Sequence, residues 1–272
     1  MERLASRFIG RTGSGLVTRT FAFVGFAGVL LGVGLGATAP GSMGAPTPTG
    51  EGVVRQMHDR YVGRWYKTLT FKQTTTRHPA TGHDTVETWY ESVSVPGKLR
   101  IDFGAPSHGD GVLFRADSTY RFKAGAVTRA VAGGNELLAL AFDVYAQPVE
   151  ITVASLRAAG FNLDKVHADS WGGRAAWVVG AEKGDTASEQ FWIDQERLVI
   201  LRQLGAHVDA RFNDYQRAGG GWISPDVDLF IGGKLVQHEQ YVEITADRSL
   251  SPALFDLAQW TSAPHWAPRP PG

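Results

Sequence analysis

Seven stretches in a row between residues 165 and 246 have the composition of β-strands: KVHADSW, RAAWVVGAEK, SEQFWID, LVILRQLG, HVDARFNDY, WISPDVDLFI and KLVQHEQYVEITA. Valine, isoleucine and aromatic residues concentrate within them, and glycine, aspartate and asparagine between them. This run limits the fold more than any other feature. Joining two parallel strands takes a crossover of a dozen or more residues, usually a helix. No helical pattern separates these stretches, so parallel crossover units are excluded and neighbouring strands pair antiparallel.

The first half of the chain continues the pattern. YKTLTFKQTTTRH and TVETWYESVSV read as strands joined by the turn PATGHD, the second stopped by Pro96-Gly97. KLRIDF alternates, with Leu99, Ile101 and Phe103 on one face and Lys98, Arg100 and Asp102 on the other. GVLFRAD and STYRFKAG form a hairpin. Helical spacing occurs in three places. In residues 51–65, Val54, Met57, Tyr61, Val62 and Trp65 fall on one stripe. NELLALAFDVYAQ has Asn135 as its cap. PVEITVASLRAAGF starts with Pro148, where proline is tolerated, and can end at Gly160. LSPALFDL closes the domain as a short helical or irregular segment. The predicted fold is α+β, with about eleven strands in neighbour-to-neighbour order. So large an antiparallel sheet must curl, and its apolar inner face needs a cover. The helices are the only segments available. The outer face is expected to be wet, or packed on neighbouring turns.

Composition removes several function classes. The 272 residues balance 27 basic against 27 acidic side chains, so nothing favours nucleic acid or an anionic membrane surface. The absence of cysteine excludes disulfides, cysteine-ligated zinc, cysteine nucleophiles and a lipid-modified N-terminal cysteine. Arg3, Arg7, Arg11 and Arg19 precede an apolar run from Phe21 to Ala39, the layout of a secretory signal. Ala37-Thr38-Ala39 offers small residues for cleavage, although Pro40 follows. An uncleaved anchor is the alternative, since the run just reaches spanning length. Residues 1–39 are thus read as a signal peptide or anchor, 40–50 as a flexible leader, 51–260 as the folded domain, and 261–272 as a proline-rich tail without fixed structure. The domain is expected in the periplasm.

Four stretches, in order, resemble the LolA/LolB-type outer-membrane lipoprotein-carrier superfamily: MHDRYVGRWYKTLTFKQTTTR, SVPGKLRIDF, GGRAAWVVGAEKGD with SEQFWIDQERLVILR, and LSPALFDL. The resemblance spans about residues 52–257. It implies a large antiparallel sheet curled into an unclosed β-barrel, with helices as a lid over a hydrophobic cavity. It further implies carriage or receipt of lipoproteins in the periplasm; relatives sense lipoproteins or bind other lipids. The expected partners are lipoprotein acyl chains or another lipid, with an inner- or outer-membrane partner protein besides, and no nucleic acid. An envelope sensor or assembly protein of the same shape, acting by protein–protein interaction, is the alternative. The residues expected to face cavity and lid are Trp65, Leu69, Phe71, Trp89, Leu99, Ile101, Phe103, Leu138, Phe142, Trp177, Phe191 and Ile193, with Trp192 on the outer surface. The same apolar residues would equally suit an ordinary core. One departure stands out: the carrier's arginine before the proline of the second stretch, which holds the lid, is here Val95.

No catalytic residue, metal site or cofactor is expected. The histidines, His58, His78 and His83 among them, lack HxH or HExxH spacing. Glu87 and Glu91 share a strand face, as exposed charges commonly do. GGGWISPD contains no Gly-x-Ser-x-Gly elbow, and GVGLG lies in the signal segment.

Overall fold

The computed structural model describes residues 47–115 and 117–267; the signal-peptide or anchor segment, residues 1–39, and the leader as far as residue 46 lie outside them, whereas Thr49 and Gly50, read as flexible leader, cap and open the first helix. Helix α1 (Gly50–Tyr61) begins at Thr49, whose Oγ1 accepts from the Gly52 N–H at 3.0 Å, and buries Val53, Val54, Met57 and Tyr61. It ends four residues earlier than the apolar stripe predicts. Gly63 takes a left-handed φ of 74°, which stops the helix and leaves Trp65 beyond it. Helix α2 (Glu136–Ala141) is capped as expected: Asn135 Oδ1 accepts from the N–H groups of Leu137 and Leu138 at 2.9 and 3.1 Å. It is shorter than predicted and gives way to one 3₁₀ turn, Asp143–Tyr145. Helix α3 (Val149–Ala158) follows Pro148.

The strands are β1 (Thr68–Arg77), β2 (Thr85–Ser94), β3 (Lys98–Phe103), β4 (Gly111–Arg115), β5 (Ser118–Lys123), β6 (Ala126–Ala132), β7 (Val166–Trp171), β8 (Arg174–Val179), β9 (Gln190–Asp194), β10 (Ile200–Leu204), β11 (Val208–Asn213), β12 (Gln216–Ala218), β13 (Gly221–Ile223), β14 (Asp226–Ile231) and β15 (Lys234–Ala246). Thirteen form one sheet in the order β6-β5-β4-β3-β2-β1-β15-β14-β11-β10-β9-β8-β7; β12 and β13 pair separately. Every ladder is antiparallel. Two differences from the expected eleven strands have simple causes. β6 is exposed along most of its length, so it carries no apolar alternation to read. WISPDVDLFI is two strands, because Pro225 has no N–H to continue a ladder.

The sheet is open but strongly curved. One cavity is lined by Thr119 and Ala132 near one end of the strand order and by Gln203 and Val208 near the other. From β5 to β10 is eight strand steps, which would be roughly 38 Å in a flat sheet at about 4.8 Å per step. The concave side encloses the main core with α1, α2, α3 and the turn at 143–145.

The convex side is not bare. Of the two states expected for the outer face, wet or packed, Arg100 and Asp102 take the packed one, buried beneath residues 250–267. Arg100 pairs with Asp102 at 2.7 Å and donates to the carbonyls of Leu254 and Trp260 at 3.1 and 2.8 Å. Its guanidinium lies 3.8 Å over the Trp260 ring, which stacks on Phe122 at 3.9 Å. Leu113, Phe122, Leu254, Phe255 and Trp260 form this second core. The first part of the proline-rich tail, expected to lack fixed structure, is also held. His265 Nε2 is 3.2 Å from Asp102 Oδ2, and Trp266 Nε1 donates to Ser92 Oγ at 2.8 Å.

Candidate functional site

Strand register sorts the concave face into rows. Leu69, Val93, Leu99 and Phe114 lie opposite one another across β1–β4. The next row holds Phe71, Glu91, Ile101 and Val112; the one after it holds Gln73, Trp89 and Phe103. The face is thus wholly apolar in one row and becomes polar farther along the strands. On the other half, Trp177 pairs with Ile193, and Phe191 with Val179 and Gln203.

The structure gathers most of the sequence-predicted residues under the helices. Trp65, Leu69, Phe71, Leu99, Leu138, Phe142, Phe191 and Ile193 are buried members of the concave core, and Ile101, Phe103 and Trp177 pack against it. Trp89 stands apart, buried, with its ring 4.7 Å from Phe103 and its Nε1 donating to Glu87 at 3.0 Å. Trp192 is half-buried near Trp171 at 5.9 Å, with the Arg202 guanidinium 5.5 Å from its ring.

The helical cover is tied down by aromatic rings and a few polar contacts. Trp65 stacks on Tyr145 at 3.7 Å, and Tyr61 meets both edge-on at 5.0 and 5.4 Å. Tyr61 donates to the Arg197 carbonyl at 2.5 Å and Tyr145 to the Leu198 carbonyl at 3.1 Å. These bonds anchor the cover to the β9–β10 turn. On the opposite side, Asp143 Oδ1 accepts from the Gly97 N–H at 2.8 Å. Burial pushes the Asp143 carboxyl up to about 6, partly offset by that N–H.

A cavity of about 540 Å³ opens between the two ends of the sheet beside α2 and α3. None of the twelve predicted residues lines it. Its wall comes from the β5 start, the β6–α2 link, α3 and β9–β11: Asp117, Thr119, Asn135, Glu136, Leu137, Ser155, Glu189, Gln203 and His207 among others. Sequence reading had one weak signal for this wall, the polar Gln203 inside the apolar run LVILRQLG.

Two polar groups outside the cavity were also not foreseen. Glu91 does not act with Glu87, which instead lies 3.8 Å from Arg77. Burial, and then the nearby Glu239, hold the Glu91 carboxyl well above its ordinary range. Glu239 accepts from Tyr241 at 2.8 Å and Gln237 at 2.5 Å. On the convex face, Asp226, Asp228 and His238 converge, the one group of metal-ligating residues found among the described residues. Asp228 lies 2.8 Å from His238 Nδ1 and Asp226 3.6 Å from Nε2, while Asn213 donates to both carboxylates. Both ring nitrogens therefore face carboxylates, an arrangement of mutual partners.

Neither any family model nor any curated protein matches the chain. Solved structures do. A DUF1329 family protein from Desulfovibrio piger has a TM-score of 0.54 and 13% identity, over 79% of this chain and 100% of its own. A LolA superfamily protein from Nitrosomonas europaea has a TM-score of 0.49 and 10% identity, over 76% and 97%. A putative outer membrane lipoprotein-sorting protein domain from Vibrio parahaemolyticus has a TM-score of 0.45 and 9% identity, over 76% and 97%. The fold is shared with the Desulfovibrio piger protein. At these identities the likeness is one of fold alone. The position before Pro96, an arginine in the family that the sequence resembles, is Val95. Val95 packs against the core, and the cover reaches the same turn through Asp143 and Gly97.

Proposed function

We propose that this chain is a periplasmic binding protein of the lipoprotein-carrier type, taking acyl chains of a lipoprotein or another lipid against the concave face of its sheet. The observation that carries this reading is the unclosed thirteen-stranded sheet whose apolar concave face is roofed by helices. The basic and apolar N-terminal segment, residues 1–39, supports export. No helix among the described residues is long and apolar enough to cross a membrane.

Energetics fix what the cover must do. Each buried methylene gains about 0.8 kcal/mol relative to water. The competing site for an acyl chain is a membrane, where that chain is already dry, so a carrier needs near-balance rather than tight binding. Here the concave side is filled by its own residues; Phe191 and Ile193 are 0% exposed. Cargo would therefore replace helix–sheet contacts: α1, α2 and the turn at 143–145 swing out, and acyl chains take over the surface they leave. The seam cavity beside α2 is the natural point of entry.

The test is to isolate the exported protein from periplasm and extract it for lipid mass spectrometry, alongside titration with a fluorescent fatty acid. Co-purified amphiphile and saturable binding are expected. Repeated absence of both would end the proposal. The filled interior favours one other reading, an envelope sensor or assembly protein of the same fold that binds a protein by its surface. One stoichiometric partner in a pull-down, with no lipid binding, would select it.

A further inference from the structure

The β9–β10 turn, the end of α1 and the β12–β13 hairpin bring four arginines together from three parts of the chain. Arg197 lies in that turn and Arg217 on β12. Their guanidinium carbons sit 4.8 and 4.1 Å from the centre of the Trp222 ring, and Arg217 faces Trp222 directly across the hairpin ladder. Arg60 is in the last turn of α1, and the Arg64 carbonyl packs so closely on Gly220 that a Cβ there would clash with it. Among the described residues none of the four arginines forms an ion pair, although Asp214 stands exposed just before β12. The whole chain balances 27 charges of each sign, so this excess of cations is local.

Other acids close in sequence are committed elsewhere. Asp194 and Glu196 both hold Arg174, Asp59 lies against His58, and Asp247 accepts from the Lys67 N–H at 2.8 Å. The indole between the arginines is fixed in place. Trp222 Nε1 donates to Tyr61 Oη at 3.0 Å, and Tyr61 donates in turn to the Arg197 carbonyl. The Trp222 side chain is half-buried, and Val62, between Arg60 and Arg64 in the chain, is 47% exposed. Cations without counter-ions, a partly bare indole and an exposed apolar side chain suit the surface of an anionic bilayer. Lipid phosphates accept from the guanidinium fork, and indole rings settle at the level of the head groups.

We propose that Arg197, Arg217 and Trp222 form a docking site for an anionic phospholipid membrane, with Arg60, Arg64 and Val62 widening the contact. The two guanidinium groups take lipid phosphates, bonds strengthened by charge, and Trp222 lies among the head groups. Docking sets the β9–β10 turn, to which Tyr61 and Tyr145 tie the helical cover, against the membrane. This surface does not depend on what the concave face binds.

Flotation of the exported protein with lipid vesicles tests this, using phosphatidylcholine alone and an equal mixture of phosphatidylcholine and phosphatidylglycerol. At low salt the wild type is expected to bind the anionic vesicles at least about tenfold more tightly, with the gap narrowing as salt is added. Arg197→Gln combined with Arg217→Gln should remove most of that gap. Arg121→Gln combined with Arg129→Gln takes the same charge from a cross-strand pair on β5 and β6 and should leave the gap nearly whole. All the chains share one N-terminus, so differences among them report the site. Thermal melts verify folding; if the first pair melts low, Arg217→Gln alone, on an exposed side chain, should still narrow the gap severalfold. Equal binding of the wild type to both vesicles, a gap untouched by the first pair, or a gap reduced as much by the second overturns the docking site. Inorganic phosphate or polyglutamate bound through Arg197 and Arg217 without a preference between vesicles also overturns it, in favour of a free anion or an acidic protein.

Discussion

At the scale of the residue, Asp143 shows how a single side chain takes over a task. Its carboxyl is the link between the helical cover and the β2–β3 turn, and it is 5% exposed. Burial raises its pKa from an ordinary 3.8 to about 6, so the folded state holds its proton more tightly than the unfolded chain does. Stability from this group is complete below about pH 4 and is lost as pH rises through about 6, on the order of 3 kcal/mol in all. Asp143→Asn keeps an acceptor for Gly97 and cannot ionise. Chemical denaturation across pH 4 to 7 should therefore show the wild type losing stability relative to the variant. A constant difference between them would show that Asp143 is not the titrating group. Nothing in LALAFDVYAQ marks this aspartate as buried. The sequence shows an acid in an apolar stretch, whereas its partner is an N–H 46 positions away.

At the scale of the element, caps and stops were legible because they are local. Asn135 caps α2, Pro148 precedes α3, and Gly160 takes a left-handed φ of 95° after it, all as their residue types require. β6 was not legible, because an exposed edge strand has no buried face to impose a period. The start of α1 depends on a distant contact. Gly50 N–H donates to the Leu163 carbonyl at 2.9 Å, and a Cβ there would come 2.5 Å from that oxygen and 2.8 Å from the Val179 side chain. Gly50→Ala should push α1 off its seat and destabilise the fold by about 1–3 kcal/mol, by analogy with overpacked cores. Hydrogen exchange should localise the effect to α1. Unchanged protection there would mean that the helix start relaxes freely.

At the scale of the molecule, the meander was legible and its closure was not. Short turns force neighbours to pair, which fixes the ladders from β1 to β6 and from β7 to β11. The pairing of β1 with β15, and of β11 with β14 across an inserted hairpin, joins segments with no local signal between them. On the concave face, the inward turn of Leu99, Ile101 and Phe103 was legible from alternation. The polar seam was missed because it is assembled from four separate regions of the chain. The convex core was missed for the same reason, since Arg100 and the Trp260 carbonyl are 160 residues apart. Removing residues 248–272 should leave Leu113 and Phe122 uncovered and the Arg100–Asp102 pair without its partners. The shortened chain should bind a hydrophobic dye and aggregate, as light scattering would detect. A monomeric, dye-silent product would mean that the second core is dispensable.

Among the described residues the open sheet has two unpaired margins, and they are unequally guarded. β7 displays His167 and Asp169, whereas β6, Ala-Val-Thr-Arg-Ala-Val-Ala, carries a single charge among small and β-branched residues. Its outward amides and carbonyls offer a template for a fourteenth strand, one from elsewhere. Crowding this protein would therefore start any stacking of copies along β6, and a lysine placed at Val127 or Val131 would be the simplest guard.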